Sequence, residues 1–244
     1  MAGLLERLRR GRSGHVPVCA AVVAAAGSAR RMEGVDKILT PLGGTPVLIR
    51  TLTVLERCPL VHEMVVVTRE DLLVDVAGLC KDYGLRKVSK VIVGGAERIH
   101  SVRAGIAEVD PDTELIAIQD GARPFLSGQV LEEVLRRAAV TGAAAPAIPV
   151  VDTIKEVEGD LVTRTVDRSA LRAVQTPQVF EASLIRAALE KAVQDGEVLT
   201  DDCAAVERLG MKVFLVPGER ENIKLTTPFD LMVGEAILTA RGEI

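Results

Sequence analysis

The residues best suited to chemistry begin where an apolar run ends in a glycine and meets cations: Val22, Val23, Ala24, Ala25, Ala26, Gly27, Ser28, Ala29, Arg30, Arg31 and Met32, with Lys37 shortly after. This order suits a polyphosphate. Gly27 lets backbone N–H groups come close to phosphate oxygens, and the small side chains before it keep that approach open. Arg30, Arg31 and Lys37 place positive charge where a triphosphate, or the transition state of attack on it, is most negative. The spacing fits neither the Walker loop, Gly-x-x-x-x-Gly-Lys-Ser/Thr, nor the dinucleotide fingerprint, Gly-x-Gly-x-x-Gly. An ordinary strand-to-helix turn with solvated arginines would use the same residue types, so this segment alone does not decide.

Further clusters follow later apolar runs. Gly94, Gly95, Ala96, Glu97 and Arg98 come after one, and Asp120, Gly121, Ala122, Arg123 and Pro124 after the next. Gly94 and Gly95 would let the backbone pass close to a planar base, with Ser101 near enough to add a hydroxyl, although a plain turn also uses a glycine pair. Asp120 suits contact with a metal-bound phosphate or a ribose hydroxyl. Arg123 is equally suited to be its local ion-pair partner.

In an open parallel sheet, ligands bind beyond the carboxyl ends of the strands, so these clusters converge only if the runs before them are neighbouring strands. Cys19 to Ala26, Glu63 to Thr68, Lys90 to Val93 and Leu115 to Gln119 read as those strands. Helical periods over Pro46 to Arg57, Asp71 to Tyr83, Ala96 to Val109 and Ser127 to Val140 alternate with them, with Ser127 a plausible N-cap. After Ala143 the pattern changes: Val150 to Val157 and Leu161 to Val166 flank Glu158, Gly159 and Asp160, a hairpin signal. Such a hairpin could protrude as an arm and exchange contacts with another subunit. A helix over Glu181 to Val193, a strand over Lys212 to Val216 and a helix over Pro228 to Ala240 complete the reading. The expected fold is α/β: a Rossmann-like, mostly parallel sheet flanked by helices, with a protruding β-hairpin arm.

Composition agrees. Hydrophobic residues make up 48% and aromatics 2%, so the core must be packed from Val, Leu, Ile and Ala, as in a sheet covered on both faces. A net charge of −4 argues against a general nucleic-acid binder. The 4 cysteines are widely spaced, without a zinc pattern, and suit a reducing, cytoplasmic setting. No apolar stretch is long enough to span a bilayer. The Arg-rich residues 1–17 read as a flexible extension and 18–244 as one domain.

Taken together and in order, these clusters and four later segments resemble the 2-C-methyl-D-erythritol 4-phosphate cytidylyltransferase family. The later segments are Thr165 to Arg168 with Gln175 to Gln178, Thr200 to Asp202, and Asn222 to Thr226. The resemblance covers residues 18–240 and implies attack by the 4-phosphate of methylerythritol on the α-phosphorus of CTP, with Mg2+ bridging the triphosphate. It implies that Arg31, Lys37, Arg168 and Lys224 serve catalysis. It places Ala25, Ala26, Gly27, Ser28, Gly94, Gly95, Ser101 and Asp120 on the nucleotide. Asp120, Arg123, Thr153, Arg168, Thr200 and Lys224 then fall around the sugar phosphate and ribose. It further implies a homodimer in which Arg168 reaches the substrate from the partner subunit.

Some positions depart from the family pattern. Ala29 replaces a glycine, Ile38 a polar residue and Gly121 an alanine, and the interval from Arg31 to Lys37 is shorter, leaving either Arg30 or Arg31 to face the phosphate. His15, His62 and His100 match no family role and read as structural or solvated. A sister enzyme acting on another polyol phosphate, such as ribitol 5-phosphate, would share the nucleotide loops. A non-catalytic nucleotide-binding module should have lost one of the cations kept here.

Overall fold

The computed structural model describes residues 17–27 and 36–244. The extension expected over 1–17 lies outside them except for its last residue, as do Ser28, Ala29, Arg30 and Arg31.

The sheet is built outward from β1 (Cys19–Ala24), whose small and β-branched residues are almost wholly buried. A minor hairpin, β2 (Pro41–Leu42) and β3 (Thr45–Pro46), leads into α1 (Val47–Arg57). Then come β4 (Val61–Thr68), α2 (Leu73–Asp82), β5 (Val88–Val93), α3 (Arg98–Ala107) and β6 (Leu115–Asp120). β1 pairs in parallel with both β4 and β6, and β4 in parallel with β5. These are the Val- and Ile-rich runs, and their continuous apolar character follows from burial on both faces.

Side chains alternate between the faces. Ala21, Val23, Val66 and Ala117 join a core with α1, α2 and α4 (Gly128–Thr141), while Ala20, Val22, Val65, Val67, Ile116 and Ile118 point the other way. That second core is closed by α3, α5 (Ala182–Gln194) and α6 (Asp202–Arg208). Ser127 caps α4 as expected, its hydroxyl accepting the Val130 N–H at 3.2 Å.

Beyond β6 the structure contains strands that sequence reasoning did not foresee. β7 (Ala143–Pro149) is Ala-Ala-Ala-Pro-Ala-Ile-Pro, with a single β-branched residue, so local preference does not announce it. β10 (Arg172–Val174) and β11 (Gln178–Glu181) run antiparallel along β7, and β11 also pairs antiparallel with β6. The expected strand over Lys212 to Val216 is β12 (Phe214–Pro217), parallel to β7. The sheet order is β10-β7-β11-β6-β1-β4-β5, with β12 on β7. The last helix, α7 (Pro228–Ala240), begins in a capping box made by Thr227 and Asp230.

The arm consists of β8 (Lys155–Glu158) and β9 (Leu161–Thr165), joined through Gly159 at φ 58°, a left-handed turn that glycine accepts without strain. Val150 to Ile154, expected within its first strand, lie outside regular structure. The hairpin is solvated throughout, with Leu161 70% exposed and Val157 and Val162 also largely open.

Candidate active site

The carboxyl ends of β1, β5 and β6 open onto a cleft of about 480 Å³. β1 ends at Ala24 rather than Ala26, and its exit stays tied to both neighbouring strands: Ala25 N–H donates to the Val67 carbonyl at 2.8 Å and the Ala24 carbonyl accepts the Gly121 N–H at 3.0 Å. Ala25, Ala26 and Gly27 line the cleft, and among the described residues nothing lies within 4 Å of a Cβ added at Gly27. Ser28 and Arg31 fall outside the described residues.

Across the cleft stand Gly95, Ala96, Glu97, Arg98 and Ser101. Gly94 sits just behind, and a Cβ there would lie 2.7 Å from both the Ala26 Cβ and the Ser101 Oγ. Only glycine allows the exits of β1 and β5 to close to this distance. Ser101 is buried and spans the loop, its hydroxyl accepting Gly95 N–H at 3.1 Å and donating to the Glu97 carbonyl at 3.1 Å. Its first duty is loop geometry.

Asp120, at the end of β6 with its side chain 7% exposed, is the electrostatic centre. Arg98 Nη1 donates to Oδ1 at 2.7 Å, while Lys224 Nζ and Arg123 Nε reach Oδ2 at 2.9 and 3.3 Å. Burial alone would push this carboxyl up, but Arg98, Lys224 and Arg123 outweigh it and hold it well below the usual carboxylate range. Arg98 also grips Asp202, Nη2 to Oδ2 at 2.7 Å. Burial pulls the Arg98 guanidinium down, and Asp202 and Asp120 more than offset this. Burial likewise pushes Asp202 up, against the pull of Arg98.

Gln175 to Gln178 form a buried bracket behind this centre. Thr176 Oγ1 accepts the Asp120 N–H at 3.1 Å, and Gln178 Oε1 accepts the N–H groups of Asp202 and Cys203 at 2.9 and 3.0 Å. Gln175 Nε2 donates to the Glu219 carbonyl at 2.7 Å, and Asn222 Nδ2 to the Thr176 carbonyl at 3.1 Å. Arg123 Nη1 reaches the Asn222 carbonyl at 2.7 Å. One segment thus fixes the loops that carry Asp120, Asp202 and Lys224.

Lys37 and Lys224 line the cleft. Ile38, next to the first of them, is buried, and its carbonyl accepts the Leu48 N–H at 2.9 Å, so an apolar residue there seats the turn on α1. Thr153, Arg168 and Thr200 are exposed and do not line the cleft. Arg168 opens a short 3-10 turn at the base of the arm, where its guanidinium donates to the Val151 carbonyl. His62 accepts the Cys19 N–H at 3.4 Å, and His100 lies exposed beside Glu97.

Sequence alone assigns no role to Arg98 or Asp202. No local signal links them, since they are 104 positions apart. The four cysteines are free and buried, and burial pushes Cys80 up to about 11 and Cys19 and Cys203 further. Among the described residues no group of three or more His, Cys, Asp or Glu is placed to hold a metal, and no helix is long and apolar enough to cross a membrane.

The sequence profile described as 2-C-methyl-D-erythritol 4-phosphate cytidylyltransferase matches residues 18–240. Proteins of that name from Geobacillus thermodenitrificans and Syntrophus aciditrophicus are 45% and 42% identical over 225 residues. Each alignment spans 91% of this chain, and it covers 97% and 96% of the respective relative. Among solved structures, the 4-diphosphocytidyl-2C-methyl-D-erythritol synthase of Anaerococcus prevotii superposes with a TM-score of 0.81 at 29% identity, covering 91% of this chain and 96% of its own. The 2-C-methyl-D-erythritol 4-phosphate cytidylyltransferase of Thermus thermophilus gives 0.74 at 33% identity, covering 89% and 98%.

Proposed function

The chain belongs to the 2-C-methyl-D-erythritol 4-phosphate cytidylyltransferase family, and from that premise we infer how its cleft divides the work between two anionic substrates. The enzyme transfers the cytidylyl group of CTP to 2-C-methyl-D-erythritol 4-phosphate, releasing pyrophosphate and giving 4-diphosphocytidyl-2-C-methyl-D-erythritol for the non-mevalonate isoprenoid route. The attacking phosphate is already anionic and needs no general base. Catalysis therefore rests on alignment and on neutralising charge around the α-phosphorus.

The observation that carries the assignment of roles is the cation pattern. Lys37 and Lys224 line one cleft together with Asp120, to which Lys224 is ion-paired, and with the glycine loop that follows β1. On this reading the backbone at Ala25 to Gly27 approaches the triphosphate, together with Ser28. Arg31 and Lys37 hold charge at the α-phosphate, and Gly94, Gly95 and Ser101 shape the wall for cytosine. Asp120 and Arg123 order the ribose side, and Lys224 can leave Asp120 for the sugar phosphate because Arg98 and Arg123 keep that carboxylate neutralised.

Among the described residues the cleft is lined by cations, backbone amides and two carboxylates, Glu97 and Asp120, with no group of three or more metal-binding side chains, which suits Mg2+ held chiefly by the nucleotide's own phosphate oxygens. When bound, the ion would add to the neutralisation of the triphosphate. The unpaired cysteines support a cytoplasmic enzyme.

The assay is pyrophosphate release from CTP with methylerythritol 4-phosphate beside ribitol 5-phosphate, with and without a chelator. Release is expected with the first alone and to be lost on chelation. Activity confined to ribitol phosphate would move the substrate assignment to the sister reaction.

Thr153 and Arg168 lie outside the cleft at the base of an arm with exposed apolar residues, and this supports a homodimer in which they complete the partner's site. Mixing and reassociating Lys37→Ala with Arg168→Ala chains should then restore roughly a quarter of wild-type sites, since each hybrid dimer holds one intact centre. If Arg168 serves its own subunit, mixing restores nothing.

A further inference from the structure

The turn that presents Lys37 is organised by the residue before it. Asp36 Oδ1 accepts the Ile38 N–H at 3.1 Å, and its carbonyl accepts the N–H groups of Leu39 and Thr40 at 3.1 and 3.0 Å and the Thr40 hydroxyl at 2.9 Å. A carboxylate beside the cleft is nevertheless a liability for a site that must receive a triphosphate, because like charges at short range repel through a partly desolvated medium.

The structure answers that liability from another strand. Arg69, the residue after β4, brings Nη2 to 2.6 Å from Asp36 Oδ2, with side-chain exposures of 27% and 17%. Its other contacts, Nε and Nη2 to the two oxygens of Asp71 at 3.0 Å each, form a bidentate grip that fixes the guanidinium plane. Asp71 is 65% exposed and screened by water, so the less accessible Asp36 is the carboxylate whose charge most needs a partner. The hydrogen bonds it donates to Asp71, opposed by burial and joined by Asp36, hold the Arg69 guanidinium above its ordinary range.

We propose that Arg69 is a positioning residue for the transfer reaction: it cancels the Asp36 charge at the triphosphate side of the cleft and ties the Lys37 turn to the end of β4. The proposal rests on the reading of Lys37 as a triphosphate cation. Neither Asp36 nor Arg69 was singled out in the sequence, where they stand 33 positions apart (69 − 36) with nothing to link them.

The test compares steady-state pyrophosphate release, with CTP varied at saturating sugar phosphate, for wild type, Arg69→Ala, Arg69→Lys and the double variant Asp36→Asn/Arg69→Ala. Arg69→Ala should raise the KM for CTP roughly tenfold with a smaller fall in kcat, because a negative charge is left beside the bound triphosphate. Arg69→Lys keeps the charge but loses the fork, and should fall between wild type and Arg69→Ala. The double variant removes the offending charge while Asn keeps an acceptor for the Ile38 N–H, and should return KM to within about threefold of wild type.

Melting curves accompany the kinetics. A purely structural Arg69 would show in the melting temperature of Arg69→Ala and leave the KM of the folded enzyme for CTP unchanged. The proposal is overturned by a wild-type KM in Arg69→Ala, or by a double variant as impaired as the single one. If Arg69→Ala does not fold, the same comparison of Arg69→Lys with the double variant decides it. A Lys37→Ala control separates the two claims: full activity there sinks the reading of Lys37, whereas impairment there with a silent Arg69→Ala sinks only the positioning role.

Discussion

Lys37→Ala is expected to lower turnover by about 10²- to 10³-fold, the range found when a single preorganised donor is removed from a developing negative charge. The side chain lines the cleft near the exit of β1, and its flanking residues are fixed, Ile38 by burial against α1 and Asp36 by its turn bonds. Such a group needs little reorganisation when charge builds on the α-phosphate, so the loss should fall mainly on kcat. CTP with Mg2+ should still raise the melting temperature of the variant, because backbone and base contacts persist. Turnover within a few-fold of wild type would remove Lys37 from the transition state.

Asp120→Asn should damage stability and activity together. The native carboxylate is nearly buried and balances Arg98, Arg123 and Lys224, and breaking a buried pair by removing one charge costs about 3–5 kcal/mol. For a chain of this length that corresponds to a fall of roughly 6–20 °C in melting temperature. Millimolar phosphate or CTP should recover part of the loss by resupplying negative charge to the same cations.

The sign of the pH dependence follows from the depressed pKa of Asp120 in the folded state. Its stabilisation is fully present above the unfolded carboxyl pKa and is lost as pH falls through the lower, folded value. The stability gap between wild type and variant should therefore stay constant above about pH 5 and narrow only below about pH 4. A gap that opens or closes near neutrality would show that another group governs it.

The parallel half of the sheet was legible because Val- and Ile-rich runs announce strands buried on both faces, and because each run ends in a cluster of glycines or charges. The antiparallel half was not. β7 is mostly alanine and proline, and β10 and β11 are too short to show a period, so all three depend on pairing with distant strands. At the site, Lys37, Asp120 and the glycine loops could be read from local chemistry. The Arg98–Asp202 and Asp36–Arg69 pairs could not, since each joins separate loops that only the folded sheet brings together. Gln175 to Gln178 were visible as a motif, but their work as a buried bracket was not, because a glutamine looks the same whether it holds a ligand or a neighbouring loop.

The four native thiols are sequestered in the interior, and those with raised pKa carry little thiolate at neutral pH. To a maleimide reagent the native surface is accordingly almost silent. An Asp160→Cys substitution at the solvated tip of the hairpin would give one fast-reacting handle per chain without first deleting any native cysteine. A fluorophore attached there turns the arm into its own ruler: in the proposed homodimer, energy transfer between labelled chains would report how far apart two tips stand as substrates bind, and a monomer would give none.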